Sequence, residues 1–408
     1  MFVLKHLVCL VLVLCGLHLT AVAAEQEGPV SDYLLPVVEI LSRGEPDLMP
    51  VGGNEIEVIT DGRRLWEAML QDIRNARKSI RIEYYRWAPD EAGELIREAV
   101  LEKLAEGVQV HILIENLCNP FFPKSFYQKM EKAGARLLFF TDTDGSFSRV
   151  FRGISHRDHR KILVVDEEIG YTGGSNIVKK YVDEWRDTNI RIKGPAVALL
   201  RRLFDEMWEQ RGGEPVEASA FVPQPVEGGV TVQMCAFGGG DTIMEEAICQ
   251  MLKLARERVY LQTPYFSPTD SIVRAMREAA ERGVDVRILL PKKVDNPFMK
   301  LVNESFYEEC LEKSVKIYEY TPRFDHTKMV LCDRNLSLLG STNLDYRSLL
   351  INYEIAALVC DAALTERLSA DFLRLLDDAE EITLEGARAA FRKDKHDRSL
   401  WYSLRKRM

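Results

Sequence analysis

The sequence predicts an α/β protein that contains two copies of one domain. Three observations support this prediction: a long internal repeat, alternating strand-like and helix-like segments in each copy, and one polar motif at equivalent points of both copies. The first copy includes residues 76–113 and the second residues 255–289. Each copy begins with a β-rich run, continues with an amphipathic segment that ends at a glycine, and closes with an apolar run.

The repeat also suggests where the domains begin and end. We expect one lobe over residues 54–211 and a second over residues 230–385. Residues 212–229 are rich in Gly, Pro and Glu and lack periodicity, which is typical of a linker. Residues 25–53 are expected to form an extended or helical lead-in. Residues 386–408 form a basic tail, which suits either a solvated terminal helix or a contact with an anionic membrane surface.

The N-terminal 24 residues have the composition of an export signal. One cation, Lys5, precedes an apolar stretch that ends in small residues, as at a signal-peptide cleavage site. The alternative is an uncleaved membrane anchor, because the stretch is almost long enough to span a bilayer. Both alternatives place the body of the protein outside the cytosol or at a membrane face.

Composition excludes several classes of protein. Hydrophobic residues make up 46% and charged residues 29% of the 408 positions, which argues against a disordered or polytopic membrane protein. The net charge of −9 argues against a nucleic-acid partner, because affinity for phosphate backbones usually rests on a basic surface. Six cysteines lie beyond the leader without metal-ligand spacing, and we expect them to be buried small apolar residues: Cys118, Cys235, Cys249, Cys310, Cys332 and Cys360.

The most similar segments of the two copies carry the polar motif. The first is His159-x-Lys161-x4-Asp166 and the second is His326-x-Lys328-x4-Asp333. The apolar residues inside each motif predict a buried strand, on which His and Lys share one face and the Asp points to the other. We therefore expect the histidines and lysines to meet the ligand and the aspartates to support the structure. Isolated histidines are different: we expect His111 to be a core residue and His156 to be structural.

A second polar set follows each motif at the same spacing. It consists of Gly173 to Asn176 in the first copy and Gly340 to Asn343 in the second, which includes Ser341. Phosphodiesters are anionic, so their cleavage needs cations and hydrogen-bond donors on the phosphate oxygens, a nucleophile, and an acid for the leaving oxygen. We expect the phosphate to be bound by Lys161, Asn176, Lys328, Asn343 and Ser341. One histidine would attack phosphorus to form a phosphohistidine, and the other would protonate the departing alcohol.

One carboxylate follows each asparagine, at Asp187 in the first copy and Glu354 in the second. A nucleophilic imidazole must be held in one tautomer by a partner on its other nitrogen. We therefore expect Asp187 and Glu354 to orient the histidines, the alternative being that they are surface charges. The sequence offers no clustered metal ligands, and the mechanism needs neither a metal nor a cofactor.

The duplicated motifs resemble the HKD motifs of the phospholipase D superfamily. More narrowly, 171–177, 185–188, 194–197, 262–266, 318–320 and 343–348 resemble segments of bacterial cardiolipin synthases. The resemblance covers roughly residues 54–375, and it departs from the common pattern at Asn189, where the family often has His, and at Thr327, where Ala is common. It implies two lobes, each a mixed β-sheet flanked by helices, related by a pseudo-twofold axis with one active site at the interface.

The resemblance also implies an activity. It is the transfer of a phosphatidyl group from one phosphatidylglycerol to another, which yields cardiolipin and glycerol, with His159 as nucleophile and His326 as general acid. The catalytic set is then His159, Lys161 and Asp166 together with His326, Lys328 and Asp333. Alternatives are a phospholipase D-type hydrolase or another phosphatidyltransferase and, with less support, a nuclease or a non-catalytic lipid-binding protein of the envelope.

Overall fold

Strands from both halves of the chain join into one continuous mixed β-sheet. The computed structural model describes residues 30–42, 49–117, 119, 123–140, 156–216 and 228–393. Within these residues, fifteen strands form the sheet in the order β17-β12-β11-β9-β13-β14-β16-β8-β1-β7-β6-β5-β2-β3-β4. The expected leader, the middle of the expected linker, Cys118 and the tail beyond residue 393 lie outside this part of the chain.

The first lobe and the segment before it supply seven strands and six helices among the described residues. Its strands are β1 (Val51–Ile59), β2 (Ser79–Tyr84), β3 (Gln109–Glu115), β4 (Arg136–Phe140), β5 (Lys161–Val165), β6 (Ile169–Gly173) and β7 (Asn189–Lys193). Its segment of the chain holds the helices α1 (Val30–Leu41), α2 (Gly62–Asn75), α3 (Glu91–Ala105), α4 (Lys124–Lys132), α5 (Lys180–Asp183) and α6 (Ala196–Gln210).

The second lobe repeats this order. Its strands are β8 (Val230–Phe237), β9 (Arg258–Gln262), β10 (Phe266–Ser267), β11 (Asp285–Pro291), β12 (Lys316–Tyr320), β13 (Met329–Cys332), β14 (Leu336–Gly340), β15 (Leu344–Asp345), β16 (Glu354–Cys360) and β17 (Ala379–Ile382). Its helices are α7 (Ile243–Leu254), α8 (Asp270–Glu281), α9 (Pro297–Ser305), α10 (Tyr307–Leu311), α11 (Tyr346–Leu350), α12 (Ala362–Leu376) and α13 (Leu384–Lys393). The short strands β10 and β15 pair separately.

The strand order is mirrored about the centre of the sheet. Strands β1 and β8 pair antiparallel there, with Val51 opposite Val232, and join the two lobes. Outward from this pair, β7, β6, β5, β2, β3 and β4 on one side match β16, β14, β13, β9, β11 and β12 on the other. The α/β class and the duplicated two-lobe architecture predicted from the sequence are therefore confirmed, and β17 extends only the second lobe.

One hydrophobic core crosses the boundary between the lobes. It joins residues of α6 in the first lobe, including Phe204 and Trp208, to residues of the second lobe such as Met234, Ile355 and Phe372. All five are buried. Separating the lobes would expose a large part of the protein's interior to water. Burial of apolar surface stabilises by roughly 25 cal/mol per Å², so this exposure would be costly. The core therefore fixes the relative position of the two halves.

Helix α1 belongs to the core of the second lobe, although it precedes the first lobe in sequence. Val37, Val38 and Leu41 are buried against α7. Ser42 accepts a hydrogen bond of 3.0 Å from the Gln233 side chain of β8. Strand β1 also begins inside the segment expected as lead-in. In the described part of the chain, no helix has both the length and the apolar composition that crossing a bilayer requires.

The packing of His111 matches the structural role expected from the sequence. It lies in β3 with its ring edge-on to Trp208, at a centroid distance of 5.2 Å, and its two buried ring nitrogens lack hydrogen-bond partners in the structure as described. Burial, together with the charges of Arg81 and Arg136, lowers the pKa of His111 to about 4. The folded protein therefore favours the neutral imidazole.

We expect His111 to make the protein sensitive to acid. Its pKa in the unfolded chain is near 6.5 and in the folded protein about 4, so the unfolded state binds more protons between these values. The free energy of unfolding should be highest above pH 6.5 and fall by roughly 3 kcal/mol as the pH drops to 4. In His111→Leu this part of the loss should be absent, as measured by urea titrations at each pH. The same dependence of the free energy of unfolding on pH in both proteins would contradict the assignment.

Candidate active site

The segments that carry the two motif histidines cross the lobe boundary and pair with the backbone of the opposite lobe. The backbone N–H of His159 donates to the carbonyl of Tyr353 at 2.8 Å, and the N–H of His326 donates to the carbonyl of Arg186 at 2.7 Å. Tyr353 and Arg186 each directly precede the carboxylate expected to orient a histidine. Each histidine is therefore positioned next to the carboxylate of the other lobe.

The two histidine–carboxylate pairs are crossed between the lobes. The Nδ1 atom of His159 lies 3.0 and 2.9 Å from the two carboxylate oxygens of Glu354. The Nδ1 atom of His326 lies 2.7 Å from Oδ2 of Asp187. All four side chains are buried. The sequence placed one carboxylate beside each histidine but could not indicate that each partner comes from the other half of the chain.

The two lysines lie beside the histidines of their own motifs. Lys161 Nζ donates to the carbonyl oxygen of His159, and Lys328 Nζ donates to that of His326. Lys328 Nζ also lies 2.9 Å from Nδ1 of His326, a contact that Lys161 does not make with His159 among the described interactions. Burial lowers the pKa of Lys161 to about 7 and that of Lys328 to about 8, although nearby carboxylates oppose the change.

Burial also shifts the proton affinities of the carboxylates and imidazoles. It raises the pKa of both Asp187 and Glu354 to about 7, against the charges of the lysines. Burial, and then the lysine charges, hold the pKa of His159 and His326 well below the usual range for histidine. The two lysines and the two carboxylates of the site thus have pKa values near neutral pH, which is where general acid and base catalysis is most effective. An entering phosphate anion would stabilise their protonated forms.

The polar residues that follow each motif stabilise the loops of the site. Asn176 donates from Nδ2 to the Tyr181 hydroxyl at 2.8 Å and accepts from the backbone N–H of Arg86 at 3.1 Å. Asn343 donates to Ser348 at 3.4 Å, while its buried Oδ1 lacks a partner in the described structure. Each amide nitrogen retains a second N–H that could reach a phosphate.

Ser341 distinguishes the second half-site from the first. Its hydroxyl donates to Oε2 of Glu354 and accepts from the backbone N–H of Ile355 at 3.0 Å. The equivalent residue in the first lobe is Gly174, where a Cβ atom would lie only 2.2 Å from Oδ1 of Asp187. In this arrangement Ser341 supports Glu354, and its single hydroxyl proton is not directed at a phosphate.

The motif aspartates lie at the far ends of their strands from the lysines. Asp166 and Asp333 follow β5 and β13 with backbone φ angles of 54° and 49°, so they occupy left-handed turns and not the strands on which alternation was expected. The Asp166 carboxylate accepts three backbone N–H groups, from Arg77, Lys78 and Ser79, at 2.7–3.0 Å. The Asp333 carboxylate binds the N–H groups of Arg256, Glu257 and Arg258 in the same way. They anchor strands and do not join the histidine cluster.

Sequence reasoning did not anticipate the role of Arg186. Its guanidinium is buried and reaches from the first lobe to the residues on either side of His326: it donates to Thr327 Oγ1 at 2.9 Å and to Asp325 at 3.4 Å. The equivalent position in the second lobe is Tyr353. The position of Arg186 immediately before Asp187 was the one sequence signal that could have indicated this role. Pairing across the lobe boundary brings the side chains of both residues to the segment around His326.

Aromatic rings surround the two imidazoles unequally. Four rings lie around His326, with centroid distances of 5.3, 5.3, 5.7 and 6.3 Å, and belong to Tyr181, Trp185, Phe324 and Tyr265. His159 has one such contact among the described residues, with Tyr85 at 4.8 Å. In the part of the chain that the structure describes, no group of three or more His, Cys, Asp or Glu side chains is placed to hold a metal ion.

Comparison with known proteins identifies the family. A family model described as cardiolipin synthase, phospholipase D-like domain, matches residues 69–208 and 248–376. The chain belongs to this family. The two matched segments correspond to the two lobes and include both motifs. Membership makes this protein a phospholipase D-like phosphatidyltransferase of the cardiolipin synthase type, as the duplicated motifs predicted.

Curated relatives cover most of the chain. The cardiolipin synthase of Halalkalibacterium halodurans is 32% identical over 343 residues, which span 81% of this chain and 67% of the relative. The cardiolipin synthase of Geobacillus sp. strain WCH70 is 31% identical over 374 residues, spanning 89% and 74%. Cardiolipin synthase A of Pseudomonas entomophila is 33% identical over 352 residues, spanning 84% and 72%.

Solved structures share the fold at lower identity. The phosphatidylserine synthase of Haemophilus influenzae Rd KW20 superposes with a TM-score of 0.65 at 16% identity, over 89% of this chain and 99% of that one. The polyphosphate kinase of Porphyromonas gingivalis gives a TM-score of 0.57 at 13% identity, over 85% and 53%. These solved structures therefore show that the fold is shared, and the relatives of higher identity indicate the chemistry.

The crossed pairs lead to a prediction about Asp187 and Glu354. Asp187→Asn and Glu354→Gln keep the shape of each side chain but remove the negative charge that stabilises a protonated imidazole. We expect each change to lower kcat for phosphatidyl transfer by roughly 10²–10⁴-fold. Initial rates on phosphatidylglycerol vesicles measure this effect. Glu184→Gln, an exposed change close in sequence to Asp187, is the control, and unaltered kcat in both site variants would contradict an orienting role.

Proposed function

We propose that this phosphatidyltransferase makes cardiolipin and glycerol from two molecules of phosphatidylglycerol through a phosphohistidine intermediate. The observation that carries the proposal is the pair of buried imidazoles, each held at Nδ1 by a carboxylate of the opposite lobe. An imidazole held in this way presents Nε2 to a ligand between the lobes. Two lysines beside the histidines supply the positive charge that a phosphodiester needs.

The contacts at Nδ1 support different roles for the two histidines. Glu354 is the only side chain with a described hydrogen bond to Nδ1 of His159, and it engages that atom with both oxygens. Nδ1 of His159 therefore carries the proton, and its Nε2 has the free electron pair of a nucleophile. Nδ1 of His326 also lies 2.9 Å from the Lys328 ammonium. Burial and then the charge of this lysine lower the pKa of His326. A protonated imidazole whose Nδ1–H donates to Asp187 therefore releases its Nε2 proton more readily, which suits a general acid.

These roles give a balanced reaction in two steps. Nε2 of His159 attacks phosphorus, the bond from phosphorus to the glycerol oxygen breaks, and the proton on Nε2 of His326 passes to that oxygen. A hydroxyl of the second phosphatidylglycerol then gives its proton to His326, and its oxygen attacks phosphorus. The bond from phosphorus to His159 breaks, and both histidines return to their original state. Lys161 and Lys328 stabilise the phosphate charge throughout.

The substrate class supports action at a membrane. A phospholipid presents its headgroup at the surface of a bilayer, so the site must reach that surface. We propose that the chain works at the outer face of the inner membrane, with the N-terminal segment as export signal or anchor. The net charge of −9 argues against a nucleic acid as the substrate.

The proposed reaction makes a prediction about products. Purified protein on vesicles of phosphatidylglycerol should produce cardiolipin and glycerol in equal amounts, because each transfer releases one headgroup. Expression in a host that lacks its own cardiolipin synthases should restore cardiolipin. His159→Ala and His326→Ala are the controls, and both should lose the activity. Phosphatidate without cardiolipin would instead identify a hydrolase.

The assigned roles make a separate prediction with an activated substrate. Phosphatidyl p-nitrophenol has a leaving group that needs no acid, so His326→Ala should still form the covalent intermediate. It should release a burst of about one p-nitrophenol per enzyme and then stall, because the base for the second step is missing. Mass spectrometry should find the phosphatidyl group on His159. A burst in His159→Ala, with the modification on His326, would reverse the assignment.

A further inference from the structure

Arg186 contacts both residues that flank His326 in the sequence. Its guanidinium donates from Nη1 to the Thr327 hydroxyl at 2.9 Å and lies 3.4 Å from each carboxylate oxygen of Asp325. All three side chains are buried. The backbone adds two contacts, because the Arg186 N–H donates to the carbonyl of Phe324 at 3.0 Å and the Arg186 carbonyl accepts from His326. The segment that carries His326 is thus bound to the first lobe on both sides of its imidazole.

A pair of hydroxyl groups extends this contact past the imidazole. The Thr327 hydroxyl, which accepts from Arg186, lies within hydrogen-bond distance of the Thr188 hydroxyl, at 3.1 Å. Thr188 directly follows Asp187, the carboxylate that holds Nδ1 of His326. Three consecutive residues of the first lobe therefore contact the histidine or its neighbour. The guanidinium is one end of a hydrogen-bonded chain that passes beside the imidazole.

The first half of the site holds its histidine in a different way. The residue before His159 is Asp158, and its cation is Arg160 of the same lobe, with Nε 3.6 Å from Oδ1 of Asp158. Arg160 also donates to Glu83 of β2 at 2.6 Å. The residue of the second lobe that is equivalent to the bridging arginine is Tyr353, which carries no charge. The His159 segment is therefore held by an arginine of its own lobe.

The second half lacks such an arginine of its own. Where the first half has an arginine and a glutamate, it has Thr327 and Gln262 at the equivalent positions. Gln262 is neutral and donates from Nε2 to Oδ2 of Asp325. A buried aspartate needs a positive partner, and Arg186 of the first lobe supplies it. Each histidine thus has an arginine beside it, but only that of His326 comes from the opposite lobe.

We propose that Arg186 is a positioning residue for His326 and that it serves proton transfer and not the attack on phosphorus. The inference rests on the proposed function, since it takes His326 as the acid and base. Proton transfer needs Nε2 within hydrogen-bond reach of the alcohol oxygen, and a misplacement of about 1 Å can cost about 10²-fold in rate. His159 is held by Arg160, so the nucleophilic attack does not depend on Arg186.

A comparison of two leaving groups tests this selectivity. The glycerol oxygen of phosphatidylglycerol must be protonated as it departs, whereas p-nitrophenolate leaves phosphatidyl p-nitrophenol without an acid. In Arg186→Met, kcat for cardiolipin formation should fall about 10²-fold. The rate of p-nitrophenol release in a single turnover, with protein in excess, should equal that of the native protein. A general loss of structure would lower both rates together.

Further variants separate the positioning of His326 from folding. Arg186→Met leaves the Asp325 charge buried without its arginine, which is destabilising. Combining it with Asp325→Asn removes that charge, and the double variant should show the same selective loss. Arg186→Lys keeps a charged donor, so its kcat should lie between those of the native protein and Arg186→Met. The control is Arg64→Met, because Arg64 is an exposed arginine of the same lobe that pairs with Glu57 at 2.5 Å. Thermal unfolding reports whether each variant is folded.

Each outcome has one meaning for the role of Arg186. A lower kcat with an unchanged single-turnover rate, in the single or the double variant, supports it. An equal fall in both rates in the folded double variant overturns it, because the arginine would then support the whole site. An unchanged kcat also overturns it. A native protein that makes no cardiolipin, or that carries the phosphatidyl group on His326, contradicts the proposed function instead.

Discussion

The active site depends on the hydrogen bonds by which each lobe holds the imidazole of the other. His159 with Glu354, and His326 with Asp187, are buried ionisable pairs, and a buried charge is tolerable only when it is partnered. Neither lobe contains a complete pair. A complete site therefore requires both lobes, and the sheet joined at β1 and β8, with the core shared beneath it, keeps the four side chains in place.

The approximate symmetry of the fold does not extend to the chemistry. Duplication supplies two histidines and two lysines at equivalent positions, but a reaction with a nucleophile and an acid needs them to differ. The differences lie in the neighbouring residues: Ser341 supports Glu354 where the first lobe has Gly174 against Asp187. Arg186 braces the His326 segment, and Lys328 contacts the ring of its own histidine. Each difference is local, and together they favour distinct protonation states for two imidazoles of the same ancestry.

The sequence predicted the α/β class, the duplication and the residues of the histidine cluster, because these follow from periodicity and from a repeated motif. It could not predict the crossed pairing, since Glu354 and His159 are far apart in the chain and no local pattern reports their contact. Alternation along a strand gave Asp166 and Asp333 a structural role but not their conformation, because each strand ends before the aspartate and the chain turns into a left-handed conformation. Helix α1 packs on the second lobe for a similar reason: its apolar face is visible in the sequence, but the surface that covers it is not.

The unequal surroundings of the histidines connect the fold to the choice of acceptor. Both alcohols of the reaction exchange a proton with His326, so the groups on its side determine which alcohol, or water, can complete the second step. Here four aromatic rings lie around His326, with Lys180 against one of them, whereas the described ring contact of His159 is with Tyr85. The phosphohistidine would therefore form on the side with few binding groups and be resolved from the side with many. Such an arrangement directs binding energy to the second substrate, whose identity distinguishes transfer from hydrolysis.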